Sequence, residues 1–323
     1  MTVNIGVHQA NPSLYHLSRL GLLEEALRPS GETVAWHRIG GLDTAAALAD
    51  GTIDFGGTGS TPPLSAQAAG HDLVYAAVSA PRPGHGALLV RADGDIASLA
   101  DLKGRTVHLA IGSWQTHFVA KSLAQHGLSY GADITAQRSG AGSYARLLDG
   151  GIDAWVGQGA ELAAARRDGR VRTLAEAGDL IADRSVFFTR RELADSRPDL
   201  VGLIVRALQA ADTWAAGHLD EAAEIAAADQ GGSAADWREA LAALPWQLEP
   251  VSAGFVAEQQ EAADILAAAG FLPRPITVAD ARHPGLDAVA ARSLTPAPSE
   301  TAPSETSAAV AAAAAETREA PEK

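Results

Sequence analysis

The stretch of this chain best suited to chemistry is Gly57–Thr61, "GTGST", which follows an apolar run and precedes Pro62, Pro63 and an Ala-rich segment. Small hydroxyl residues at a strand end, then prolines, read as strand, tight loop and helix start. Such a start suits either an anion or an ordinary N-cap. No Lys follows the glycines as a phosphate-cradling P-loop requires, and the G-x-G-x-x-G spacing of a dinucleotide loop is missing. "GAGSYAR" (Gly140–Arg146) lacks the second Gly of a hydrolase elbow. The ten histidines form neither H-x-x-x-H nor H-E-x-x-H, so no metal site and no cofactor are expected. With no cysteine there is no disulfide, thiolate ligand or thiol nucleophile.

Polar residues do recur at the C-terminal ends of predicted strands, the edge where ligands sit in open α/β sheets. Gln9 follows the first strand, and Thr58, Gly59, Ser60 and Thr61 follow the third. Ser113, Trp114, Gln115 and His117 open a helix after Thr106–Ile111, and Trp155 and Gln158 end or follow Ile152–Val156. Two helix starts bearing Ser or Thr could converge on one small anion, with Trp faces against its apolar part. N-capping alone is the plainer reading of each loop.

The elements that must position these residues follow an α/β pattern over the first 190 residues. Predicted strands are Val3–Val7, Thr33–Arg38, Ile53–Gly56, Leu73–Val78, Ala87–Arg91, Thr106–Ile111, Ile134–Arg138, Ile152–Val156 and Ser185–Thr189. Predicted helices include Ser13–Leu27, Leu42–Ala49, Thr61–Ala69, Ser113–His126, Gly142–Leu148 and Ala160–Arg167. From Pro198 the chain reads as helical, with a further helix at Ala253–Ala269. Residues 287–323, rich in Ala, Pro, Ser and Glu, are expected to be a disordered tail. At 323 residues and 47% apolar content the chain can bury a large core. A formal charge of −14 without a long basic run argues against nucleic acid as a partner. No run of eighteen apolar residues suggests a membrane span. "MTVNIGV" carries no basic and apolar leader, which leaves a cytoplasmic location open beside a removed export signal.

Four segments in order, "IDFGGTGSTPPLSAQAAG", "SLADLKGRTVHLAIGS", "GGIDAWV" and "FVAEQQEAADILAAAGFLPRPITVADA", resemble the solute-binding proteins of aliphatic sulfonate, taurine and nitrate ABC importers. The resemblance spans roughly Val3 to Arg282. It implies a two-lobed periplasmic-binding-protein-like fold (type II) with a ligand cleft between the lobes. One lobe would comprise residues 1–90 plus 190–286 and the other 91–189, with crossings near Arg91 and Arg190. Ser60 and Thr61 match the family's hydroxyl-rich helix start, Ser113 the equivalent start in the other lobe, and Gln9 and Trp155 cleft positions. The implied function is binding of an aliphatic or aryl sulfonate by lobe closure and delivery to an ABC permease, as a monomer, in the periplasm or at the cell surface. Gln158 or Gly159 stands where relatives place an acid, which disfavours an amino-sulfonate such as taurine. The alternative is a cytoplasmic enzyme or accessory protein on the same fold, acting on a sulfur-containing or aromatic metabolite with His117 as acid/base. The enzymes known on this fold use cysteines, and this chain has none.

Overall fold

The computed structural model describes residues 1–295. Eleven strands are found there: β1 Thr2–Val7, β2 Thr33–Arg38, β3 Phe55–Thr58, β4 Leu73–Ser79, β5 Gly86–Arg91, β6 Thr106–Leu109, β7 Thr135–Arg138, β8 Ala154–Gln158, β9 Val171–Glu176, β10 Val186–Arg190 and β11 Leu248–Glu249. They form two sheets, ordered β11-β4-β10-β3-β1-β2 and β7-β6-β8-β5-β9. Each sheet is the centre of one lobe, so the implied two-lobed α/β architecture is the one observed. In the first sheet β4 reads "LVYAAVS" and is buried along its whole length, as a strand covered on both faces must be. Val74 and Phe187 pack beneath helix Pro198–Gly217 on one side, and Tyr75 and Phe188 pack with Phe255 of helix Ala253–Ala268 on the other.

Three expectations change. The crossings between lobes lie at residues 80–85 and 182–185, not near Arg91 and Arg190. β5 pairs antiparallel with β8 and β9 in the second sheet, while β10 sits between β3 and β4 in the first. Both are short apolar strands, and their composition fits either sheet. Second, Ser13–Leu27 is two helices, Pro12–Leu20 and Leu22–Leu27, parted at Gly21, whose φ of 67° is left-handed. Third, order continues past residue 287: helix Pro284–Leu294 buries Leu286, Val289, Ala290 and Ser293 at helical spacing. It seats Val289 and Ser293 on Gly202 of helix Pro198–Gly217. The remainder of the expected tail, from residue 296, lies outside the described residues.

Besides the crossings, helices of the two lobes pack on one another, helix Thr61–Ala69 on helix Trp114–Ala124 among them. Helix Trp114–Ala124 of the second lobe packs on helix Ala253–Ala268 of the first, with Lys121 Nζ 2.7 Å from Glu261. Helix Gly159–Asp168 packs on helix Ala234–Ala242, where Arg167 pairs with Asp236 and, at 2.7 Å, with Glu239. This is a closed arrangement.

Candidate functional site

Trp114 occupies the centre of the lobe boundary. It is the first residue of its helix, Ser113 being the N-cap whose Oγ accepts from Gln115 N at 3.1 Å. The indole is 4% exposed and lies on two glycines, Gly59 of the first lobe and Gly86 of the second. A Cβ on Gly86 would stand 2.2 Å from Trp114 Cη2 and 3.2 Å from the Gly157 carbonyl oxygen, so only glycine fits beneath the ring. Gly86→Ala is therefore expected to cost about 1–3 kcal/mol of stability through overpacking. A urea melt checks it; an unchanged midpoint would mean the indole is free to move aside.

Residues of both lobes line a cleft of about 460 Å³, in the range of small-ligand sites. The first lobe contributes Gln9, Ala10 and Pro12 from the end of β1, and Trp237, Leu241 and Leu244 from its helical layer. The second contributes His85 and the start of helix Gly159–Asp168. Gln158 is the N-cap there and makes no side-chain cap, so the first N–H groups of a ten-residue helix are left for another partner. Gln158 Oε1 accepts from Gln115 Nε2 at 2.9 Å, while Gln115 Oε1 accepts from Ala110 N at 2.7 Å. Of the acids on the wall, Asp236 is paired with Arg167, and Glu161 has no ion-pair partner among the described residues.

A second chamber of about 340 Å³ is lined by Ser60, His117, Lys121, Arg184, Phe255 and Gln259 among others. Ser60 Oγ and both ring nitrogens of His117 are buried there without hydrogen-bond partners among the described residues. Burial pushes the His117 pKa down to about 4, and neighbouring Lys121 adds to this, so the ring is neutral near pH 7. No carboxylate among the described residues hydrogen-bonds it. The helix behind Ser60 offers less to an anion than its position suggests. Pro62 and Pro63 have no N–H, which removes two of the donors a helix start usually presents.

The expected site residues thus separate. Gln9 and Gln158 share the cleft, Ser60 and His117 share the chamber, and Trp114 lines neither, packing on His85 and on Gly59. Thr61 Oγ1 is buried and unpartnered, and Thr58 is buried with its hydroxyl donating to the Gly59 carbonyl at 2.9 Å. Ser113 and Gln115 hold the loop itself. Trp155 is corrected: it lines neither cavity and is 2% exposed, packed with Leu89, Leu147 and Leu162. Along β8 alternate side chains take opposite faces, so Val156 joins the Trp114 cluster and Trp155 the outer core. His85, Arg82, Asp183 and Trp237 were not singled out from sequence. His85 could have been, since it directly precedes β5; its partner Asp183 is 98 residues away and carried no signal.

A family model described as "NMT1/THI5 like" matches residues 37–222. A putative aliphatic sulfonates-binding protein of Escherichia coli (strain K12) is 30% identical over 238 residues, 72% of this chain and 73% of that protein. Among solved structures, the alkanesulfonate-binding protein SsuA from Xanthomonas axonopodis pv. citri, bound to MOPS, aligns with a TM-score of 0.77 and 30% identity, covering 87% of this chain and 98% of that one. The periplasmic aliphatic sulphonate binding protein SsuA from Escherichia coli aligns with a TM-score of 0.78 and 27% identity, covering 94% of each chain.

Proposed function

The chain belongs to the NMT1/THI5-like family, among the sulfonate-binding proteins of ABC importers, and from that premise we propose that it binds a small organosulfonate, aliphatic or aryl, between its lobes and delivers it to a permease. Outside the cytoplasmic membrane, in the periplasm or at the cell surface, is where such delivery takes place. Among the described residues no helix is long and apolar enough to cross a membrane.

One observation carries the reading. Gln9 of the first lobe and Gln158, with the free helix start behind it, of the second converge on a single cavity of about 460 Å³. A sulfonate is anionic at every physiological pH, so neutral amide and N–H donors suffice to hold it. Trp237 and Leu244 offer an apolar wall for the carbon skeleton. Ligand contacts from both lobes stabilise the closed form, whose surface the permease would read. Binding rather than catalysis fits the absence of an orienting carboxylate at His117. A second placement, with the head group in the chamber, is favoured by the unpartnered Ser60 Oγ and His117 nitrogens.

Calorimetry against alkanesulfonates, arylsulfonates, MOPS, taurine and sulfate, with tryptophan emission recorded in parallel, tests both. Saturable binding of a sulfonate is expected, with Trp114 rather than Trp155 reporting closure. Gln158→Ala should weaken it by about 1–2 kcal/mol if the head group lies in the cleft, and Ser60→Ala by the same amount if it lies in the chamber. Wild-type affinity in both variants would refute both placements. Silence across the panel would refute the receptor and favour the enzyme reading.

A further inference from the structure

His85 stands at a junction that the cleft alone does not explain. It ends the first crossing, and its Nδ1 lies 2.6 Å from Oδ2 of Asp183 in the second crossing. Arg82 binds the other oxygen of that carboxylate at 2.8 Å. The ring tilts against Trp114, with centroids 5.3 Å apart. His85 also lines the 460 Å³ cleft, and its Nε2 makes no hydrogen bond within the described protein.

We propose that His85 is a ligand-contacting residue of the cleft, and that it takes up a proton as an anionic ligand binds. The inference rests on the reading that a sulfonate occupies this cleft. Asp183 can only accept, so Nδ1 carries the hydrogen and the neutral ring presents a bare lone pair at Nε2. A lone pair repels a sulfonate oxygen, whereas Nε2–H donates to it. The ring must therefore be protonated for the contact to form. The charged groups facing it are Arg82 and Asp183 at the crossings, with Glu161 and Asp236 on the cleft wall. In the closed arrangement without ligand, burial, then Arg82, hold His85 below the usual histidine value despite Asp183. The ring is therefore neutral near pH 7 until an anion arrives. The arriving charge and the proton cancel, so the closed cleft gains no net charge. Arg82 and Asp183 act as positioning residues: they fix the tautomer and aim Nε2.

The sign of the pH dependence follows. The bound state holds more protons than the free state between the two His85 pKa values. Affinity falls as pH rises through that window, by up to about tenfold per pH unit, and is flat on either side.

The experiment is calorimetry of the full chain with 1-butanesulfonate, which does not titrate, in phosphate and in Tris at pH 7. The two buffers release protons with different heats, so the difference in binding enthalpy counts protons taken up. A value approaching one per ligand is expected, and His85→Gln should bind about tenfold more weakly with no uptake and no pH dependence. Zero uptake by the wild-type chain, or uptake that persists in His85→Gln, overturns the proposal while the receptor reading stands. Failure of every sulfonate in the panel to bind overturns both.

Discussion

Asp183→Asn is expected to lower the unfolding free energy by about 3–5 kcal/mol, the scale of breaking a buried ion pair from one side. Asp183 is 3% exposed and Arg82 4%, so neither charge has water to fall back on. Each guanidinium nitrogen makes one hydrogen bond: Nη2 reaches the carboxylate at 2.8 Å, Nε the Asp183 carbonyl at 2.9 Å and Nη1 Ser185 Oγ at 3.1 Å. Burial works to raise the Asp183 carboxyl, but Arg82 and His85 outweigh it and hold the group below its ordinary range. Asparagine keeps the shape and tolerates the left-handed φ of 41° at this position. The substitution thus removes the charge and leaves the backbone alone, stranding Arg82 in the interior. A carboxyl with a depressed folded pKa contributes stability above its unfolded pKa and loses it as pH falls through the folded one. The gap between the two chains should be full at pH 7 and narrow in acid. Urea titrations at pH 7 and pH 3 measure it. A loss below about 1 kcal/mol at pH 7 would mean that the crossings are not held together by this cluster.

What could be read beforehand, and what could not, divides on sequence distance. Thr61–Ala69 was legible to the residue because its signals are local, Pro62 and Pro63 at the start and Gly70 at the end. β4 was legible because seven consecutive apolar or small residues leave few alternatives. β9, "VRTLAE", went unseen. It is an edge strand, half-buried, with Arg172 and Glu176 among its residues, and nothing in it alternates. The site follows the same rule. Strand ends bearing Gln9, Ser60 and Gln158 announced a polar edge, and that edge exists. Which cavity each residue enters depends on how the lobes meet, and Trp114 at that boundary rests on glycines 55 residues before it and 28 residues before it in the chain. The Arg82–Asp183–His85 cluster was hidden twice over, by separation and by the misplaced crossings. With β5 and β10 expected in the opposite lobes, the segments that bring these groups together read as strand margins. Trp155 failed for another reason. The strand exists, at Ala154–Gln158 against the expected Ile152–Val156, but nothing in "IDAWV" says which face of β8 looks toward the cleft.

Asp212→Asn is expected to act in the opposite direction, stabilising the protein at alkaline pH. Asp212 lies within helix Pro198–Gly217, 2% exposed, with Oδ1 lacking a hydrogen-bond partner. Beside it is a void of about 20 Å³, room for one water, bordered by Ser13, Ser79, Arg82 and Ser185. Burial pushes its carboxyl up to about 7 from the ordinary 3.8, only partly relieved by the Ser13 hydroxyl. A raised folded pKa means that the folded chain keeps a proton which the unfolded chain surrenders. Stability from this group is complete below the unfolded pKa and is lost as pH rises toward the folded one. At about 1.4 kcal/mol per pH unit across that window, the loss by pH 8 is about 4 kcal/mol. Asparagine has the shape of the protonated acid and cannot ionise, and its amide can donate to Ser13. The variant should therefore match the parent near pH 4 and exceed it by up to about 4 kcal/mol at pH 8. Thermal melts across pH 4 to 9 decide the matter. A difference that does not grow with pH would show that Asp212 ionises freely, with water entering the void to solvate it.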